Sequence, residues 1–345
     1  MKFGEIVSSI ITKDNFKKVT GKFNEIGPVL VIGDIGLDKY TFGDVKRISP
    51  EAPVPVLEVT KEWTTLGLAT NISNNLSALG VSSTICGVVG EDMQASKLES
   101  LLEENELSIW GVVRCSERPT IFKERVTTST QQICRVDYED KSPLSVATQE
   151  RLLERVNEFI PTHSGIIIED YGKGTLSKET IAEVVSLARK HKKKVFVDPS
   201  RTTPPEFYKG VDLLKPNRAE AEMMVSMLGH NTTDVLEMAK ILSESLDISE
   251  VVITLGGEGM AIFTRGDEKV RIIPTVANEV FDVSGAGDTA ISLLSSSLLA
   301  GATLTDACWI GNCGSGVVVA KKGTATVNLE ELEKFYNNIS KNFNE

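Results

Sequence analysis

Short β-branched runs separated by helical stretches constrain this chain more than any other feature of its sequence. The runs fall at 29–32, 84–89, 165–168, 194–197, 211–214 and 251–254, and helical patterns lie at 75–79, 95–104 and 181–190. A strand that short and that apolar is buried on both faces. A helix that returns the chain between two such strands makes the pair parallel. The order predicts an α/β fold: a doubly wound, mostly parallel sheet with helices on both faces.

Two stretches break the rhythm. Residues 41–60 carry three prolines among Val and Leu, and residues 111–138 read as consecutive strands with no helix between them. Antiparallel strands inserted into an α/β sheet predict a small β-sheet lid beside the main body. From about residue 286 the pattern is helical, at 290–299, 306–320 and 329–336. With no repeat or low-complexity tract, residues 1–345 read as a single domain with the lid segments, about 41–60 and 111–138, inserted in it.

The formal charge of -11 argues against a nucleic-acid partner, because a backbone-binding stripe would have to assemble against the net field. The five cysteines, at 86, 115, 134, 308 and 313, form no Cys-x-x-Cys pair and are odd in number, which fits reduced thiols in the cytoplasm. No apolar run approaches the length of a membrane span, and no signal-peptide core follows the N-terminus.

The strongest chemical signal is Asp282-Val283-Ser284-Gly285-Ala286-Gly287-Asp288-Thr289, which runs straight into an apolar helical stretch. Small residues let a ligand approach the backbone, and the free N–H groups of a helix start attract anions. In a phosphoryl transfer the amides of Gly285, Ala286 and Gly287 would hold developing charge while Asp288 deprotonates the attacking hydroxyl. A glycine-rich turn with Asp near an N-cap is the plain alternative. Thr254, Gly256 and Gly259 follow a strand and read either as a phosphate-proximal loop or as a hairpin turn. Asn217 and Glu220, three apart after another strand, could organise Mg²⁺ through its water shell or simply cap a helix. Gly33, Asp34 and Asp38 follow the first strand, where carboxylates could accept sugar hydroxyls or sit in a solvated turn.

On these motifs the chain resembles the ribokinase (PfkB) carbohydrate kinase family. Asp282 to Thr289 match its C-terminal signature, Asn217 to Glu220 its Asn-x-x-Glu motif, and Thr254, Gly256 and Gly259 its nucleotide loop. Arg47-Ile48-Ser49-Pro50-Glu51-Ala52-Pro53-Val54-Pro55-Val56 and Asp170-Tyr171-Gly172-Lys173-Gly174 are similar to the heptose 7-phosphate kinase branch. The likeness runs from about 29 to about 330. It implies a ribokinase-like fold, ATP and Mg²⁺, a homodimer formed through the lids, and phosphorylation of the anomeric hydroxyl of D-glycero-β-D-manno-heptose 7-phosphate for lipopolysaccharide synthesis. It also implies sugar contacts from Asp34, Asp38, Arg47, Gly67, Asn71, Lys123, Arg125, Asp170 and Lys173, with Arg135 nearby, and nucleotide contacts from Asp282, Ser284 and Asn312 besides the two motifs. Fructose or ribose kinases of the same family are the alternative substrate class, and a silent sugar sensor the non-enzymatic one.

Two positions depart from the family pattern. Leu68 stands in Gly67-Leu68-Ala69-Thr70-Asn71 where a glycine is usual, and Ser200 follows Asp198-Pro199 where the branch has lysine. The first predicts either a smaller sugar pocket or a leucine packed away. The second predicts weaker nucleotide contacts. A nucleotidyltransferase segment like the one fused to some heptose kinases is not found in these 345 residues, so that activity is expected of another protein. A Rossmann dehydrogenase is excluded because Gly33-Asp34-Ile35-Gly36-Leu37-Asp38 is not Gly-x-Gly-x-x-Gly, and a P-loop kinase because no Walker motif occurs.

Overall fold

The computed structural model describes residues 4–277, 279–321 and 323–342. The Val/Ile-rich segments Val29–Gly33 and Gly165–Glu169 are buried at every position and lie side by side in the middle of a ten-stranded sheet. From one edge the order is Glu5–Ile6, Arg271–Ile273, Met260–Thr264, Glu250–Thr254, Leu213–Leu214, Lys194–Asp198, Gly165–Glu169, Val29–Gly33, Ser83–Gly90 and Val112–Cys115. Among the described strands of this sheet only Met260–Thr264 runs against its neighbours. Alternate residues of each strand feed two apolar cores. One packs Val31, Ile167 and Phe196 against the helices Ala69–Ala78, Ala286–Leu299 and Leu304–Val318; the other packs Ile32, Ile168 and Val197 against Val146–Phe159 and Lys178–Lys190. Helices cover both faces, as expected. Among the described residues no helix is long and apolar enough to cross a membrane.

Chain winding reverses between Val29–Gly33 and Gly165–Glu169, because Ser83–Gly90 is added on one side and Lys194–Asp198 on the other. In an open α/β sheet the loops at the carboxyl ends of two such strands splay apart and leave a crevice. Asp34 and Asp170 stand at those two ends.

The smaller sheet has four strands in the order Pro55–Leu68, Ile35–Ile48, Ile121–Thr127 and Gln132–Tyr138. Its extent differs from the sequence expectation of 41–60 and 111–138. The hairpin starts at Ile35 and ends at Leu68, because its inner ends are apolar and buried and look like core sequence (Ile35, Leu37, Leu66, Leu68). Val112–Cys115 instead joins the large sheet beside Ser83–Gly90, burying Val113 and Cys115.

Candidate active site

Gly285 ends the irregular segment before the helix Ala286–Leu299. It adopts φ 79, a left-handed conformation that favours glycine, and a Cβ there would sit 3.0 Å from Thr324 Cγ2 and 3.2 Å from Asn71 Nδ2. The Ala286 amide turns back to Val283 O (3.2 Å), which leaves Gly287 and Asp288 to present theirs at the helix start.

Asp288 is buried in this first turn, and its carboxylate is aimed from two sides. Asn71 Nδ2 donates to Oδ2 at 2.6 Å and the Tyr171 hydroxyl donates to Oδ1 at 3.1 Å. One turn on, Thr289 Oγ1 donates to Asn75 Oδ1 at 2.8 Å, and Asn75 Nδ2 donates to Asn71 O at 2.8 Å. The helix Ala69–Ala78 therefore grips the helix Ala286–Leu299 through a buried polar ladder and sets the orientation of the carboxylate. Burial raises the Asp288 pKa, with the Asn71 bond opposing and the nearby Asp198 charge adding to the rise. A raised carboxylate pKa makes a better proton acceptor.

Beneath that helix start lies a row contributed by adjacent strands: Glu169, Asp198 and, following Leu214, Lys215. Glu169 is in register with Gly33 on one side and Asp198 on the other. Lys215 Nζ is 2.6 Å from Asp198 Oδ2, and a Cβ on Gly287 would be 3.7 Å from the ammonium and 3.6 Å from the carboxylate. Burial pushes Asp198 up to about 6 despite the lysine beside it. Burial also opposes the charge of Lys215, but the Asp198 carboxylate outweighs it and holds the lysine pKa high. Near neutral pH the pair is an ion pair. Glu169 is 4% exposed, and its Oε2 is buried without a hydrogen-bond partner. These three residues line a cavity of about 1010 Å³ together with Gly287 and Asp288.

The predicted sugar residues are only partly free. Asp34 spends its carboxylate on the amides of Tyr171 (3.0 Å), Lys173 (3.1 Å) and Thr175 (3.3 Å), so it shapes the 170–175 loop. Asp170, in the wall of the cavity, accepts from the Gly172 amide and, behind the wall, from Thr203 Oγ1 and Tyr208 Oη. Asp38 pairs with Arg125 at 2.6 Å, and Gly67 is a glycine of necessity: a Cβ would fall 2.7 Å from Asp38 Oδ2. Lys173 Nζ pairs with Glu139 at 2.6 Å. Lys123 Nζ lies 5.5 Å from the centroid of the Tyr171 ring; among the described residues it has no carboxylate within ion-pair distance, and burial lowers its pKa. Arg47 is exposed in the outer half of the lid hairpin, opposite Val56, and is not brought to the cavity; Arg135 pairs with Asp137 on the lid. Leu68 is buried at 6% exposure with φ 58 and ψ -140, and neither cavity described here has it in its wall. A leucine packed away is the alternative this geometry favours.

On the nucleotide side, Asn217 and Glu220 form a capping box, the Glu220 amide donating to Asn217 Oδ1 (3.0 Å) and the Asn217 amide to Glu220 Oε2 (2.8 Å). Both also line the large cavity. Thr254 to Gly259 is the turn of the antiparallel pair Glu250–Thr254 and Met260–Thr264, and it too forms cavity wall. Both plain alternatives are thus present at positions that also face the cleft. A second, more apolar cavity of about 270 Å³ shares Thr254, Gly256, Val283 and Gly287 with the first and continues past Gly259 to Asn312, whose Nδ2 donates to Pro274 O (2.7 Å). Asp282 accepts from the Ser284 and Gly323 amides (2.9 and 3.0 Å); it fastens the loop, and neither it nor Ser284 lines a cavity described here.

Sequence reasoning gave no role to Glu169, Lys215, Tyr171 or Arg118. Arg118 bonds Lys173 O and Ser142 O and so braces the cavity rim. The available signal was position: Glu169 and Asp198 end apolar strand runs on the side where a parallel sheet opens to ligand. Lys215 supplies a buried ammonium in the same wall as Ser200, the position where the lysine was missing.

A family model described as pfkB family carbohydrate kinase matches residues 30–332. The chain is 41% identical over 313 residues to "Bifunctional protein HldE" of a Nitratiruptor species, covering 91% of this chain, and 39% identical over 309 residues to the protein of the same name from Helicobacter pylori, covering 90%. It spans 66% of the length of each of these relatives. In fold it is similar to Arabidopsis thaliana ribokinase complexed with ribose and ATP (TM-score 0.69, 18% identity, 90% of this chain and 98% of that one) and to Escherichia coli phosphofructokinase-2 (TM-score 0.72, 20% identity, 91% and 100%). With the match to the family model extending from the first central strand into the last helix, this chain belongs to the pfkB family of carbohydrate kinases, ATP-dependent sugar kinases.

Proposed function

We propose that this kinase transfers the γ-phosphoryl group of ATP to the anomeric hydroxyl of D-glycero-β-D-manno-heptose 7-phosphate, giving the 1,7-bisphosphate used for ADP-heptose and lipopolysaccharide core. The observation that carries the sugar phosphate is a single largely buried lysine of the lid, Lys123, since the neighbouring lid cations Arg125 and Arg135 are already paired with Asp38 and Asp137. Lys123 reaches over Tyr171, which itself touches Asp288, and it lacks a carboxylate partner among the described residues, so a phosphorylated ligand would complete its charge balance. Identity near 40% to proteins named HldE supports the heptose branch.

In this reading Asp288 accepts the hydroxyl proton as the oxygen bonds to phosphorus, and the bond from phosphorus to the bridging oxygen breaks to release ADP. The Gly287 and Asp288 amides and Lys215 face the transferring group and take up its charge. The apolar cavity beside Asn312 suits the nucleoside. Asn217 and Glu220 are oxygen donors on the cavity wall, already committed in part to capping, so they would hold Mg²⁺ through its water shell, where the ion neutralises phosphate charge. We also propose a cytoplasmic homodimer formed through the lids, whose outer parts expose Val45, Ile48, Val54, Val59 and Trp63.

An ADP-release assay across free and phosphorylated sugars tests the assignment. Heptose 7-phosphate should give the highest kcat/KM, with added salt raising KM. Equal or better turnover of free fructose or ribose would replace the heptose reading with another sugar of the same family.

A further inference from the structure

Three carboxyl groups crowd the floor of the large cavity, and the charges around them do not balance. Asp198 has Lys215 at 2.6 Å, and Asp288 has the Asn71 amide and the Tyr171 hydroxyl. Glu169, in register beside Asp198, has among the described residues no cation within ion-pair distance and no hydrogen-bond donor on Oε2. A buried carboxylate without a partner is among the costliest groups a protein can hold, whereas a buried carboxylic acid facing a cleft is a hydrogen-bond donor awaiting an acceptor. On the other side of Glu169 lies Gly33, where a Cβ would run into the Glu169 carbonyl oxygen, so that strand brings no side chain to partner the carboxyl group.

We propose that Glu169, as the neutral acid, is a phosphate-contacting residue that donates a hydrogen bond to the γ-phosphoryl oxygens of the nucleotide. It would complete a row of donors with Lys215 and the helix start at Gly287. The groups that face it favour the acid form: burial raises its pKa most, the Asp198 and Asp288 charges raise it further, Lys215 lowers it, and Glu220 raises it again. Tyr171, on the rim above, stays a neutral hydroxyl, since burial and then the Asp288 charge push its pKa up. A phosphate oxygen strengthens the same preference, because an ionised Glu169 would repel it. The inference rests on the kinase reaction and not on the sugar, so it stands or falls apart from the heptose assignment.

Calorimetric dissociation constants for ATP and for ADP, each with Mg²⁺ and without sugar, decide the matter in the parent protein, Glu169→Gln and Glu169→Ala. The amide keeps a donor and has no proton to lose. At about pH 6, Glu169→Gln should bind ATP within about 3-fold of the parent, while Glu169→Ala should bind it at least about 10-fold more weakly, the scale of one hydrogen bond to a charged group. ADP lacks the γ-phosphoryl group and should bind all three alike, which also reports that the variants are folded. As pH rises to about 9.5 the parent should lose ATP affinity relative to Glu169→Gln, because only the parent surrenders a donor. Equal losses for Gln and Ala, equal losses for ATP and ADP, or parallel pH curves for the parent and Gln would each overturn the proposal. Should the alanine variant fail to fold, the comparison of parent and Gln with both nucleotides decides alone.

Discussion

Replacing Leu68 should reverse the usual ranking of alanine and glycine. The residue is buried, yet its φ of 58 and ψ of -140 lie where side chains with a Cβ are strained. Truncating a buried leucine costs about 2–5 kcal/mol, and both variants suffer it. Glycine then loses about 0.5–1 kcal/mol more through chain entropy. It regains about 1–3 kcal/mol of backbone strain that alanine retains. Leu68→Gly should therefore be more stable than Leu68→Ala by about 1 kcal/mol, while both fall below the parent. Equilibrium unfolding in denaturant reads the order directly. Because Leu68 is outside the cavity walls described above, kcat/KM on the sugar should change little in either variant. An alanine variant as stable as the glycine one would refute the strain argument, and a glycine variant with raised kcat/KM would show that leucine obstructs the sugar after all.

Asp288→Asn should keep ATP and sugar affinity within a few fold and lower kcat by about 10² or more, the scale of a lost general base; turnover within threefold of the parent would remove Asp288 from the chemistry. In the parent the base works ionised and its pKa is raised by burial, so kcat/KM should decline on acidification at a higher pH than an ordinary aspartate would set, and a profile flat down to about pH 4 would contradict this. Asn217→Ala and Glu220→Ala should each shift the Mg²⁺ dependence of turnover upward and also lose about 1 kcal/mol of stability as the capping box breaks. A stability loss with an unchanged metal titration would leave the pair as a cap alone.

The α/β rhythm was legible because buried parallel strands are written as short β-branched runs. The loop before Asp288 was legible because small residues before an apolar helix have few other uses. What surrounds Asp288 was not, since Asn71 and Tyr171 lie 217 and 117 residues away in sequence and meet it only through the fold. Glu169 and Lys215 were passed over for a different reason: a charged residue after a strand reads as the start of a solvated loop, and only the covering helix buries it. Leu68 was read as a question about the sugar, whereas its backbone conformation explains why a glycine would suit the position. Asn217 and Glu220 show that two readings of one motif need not compete, because the side chains that cap the helix also face the cleft.

The strand Pro55–Leu68 passes into the helix Ala69–Ala78 without an intervening loop, and the Ala69 amide bonds Asp34 O at 3.0 Å. The lid and the residue that orients the Asp288 carboxylate are thus one stretch of covalent chain, with three peptide bonds from Leu68 to Asn71. A displacement of the lid strand pulls on Asn71 before it reaches any ligand. Substitutions that displace the lid strand without touching substrate, unlike truncations in place at Leu68, should consequently register in turnover number as well as in KM.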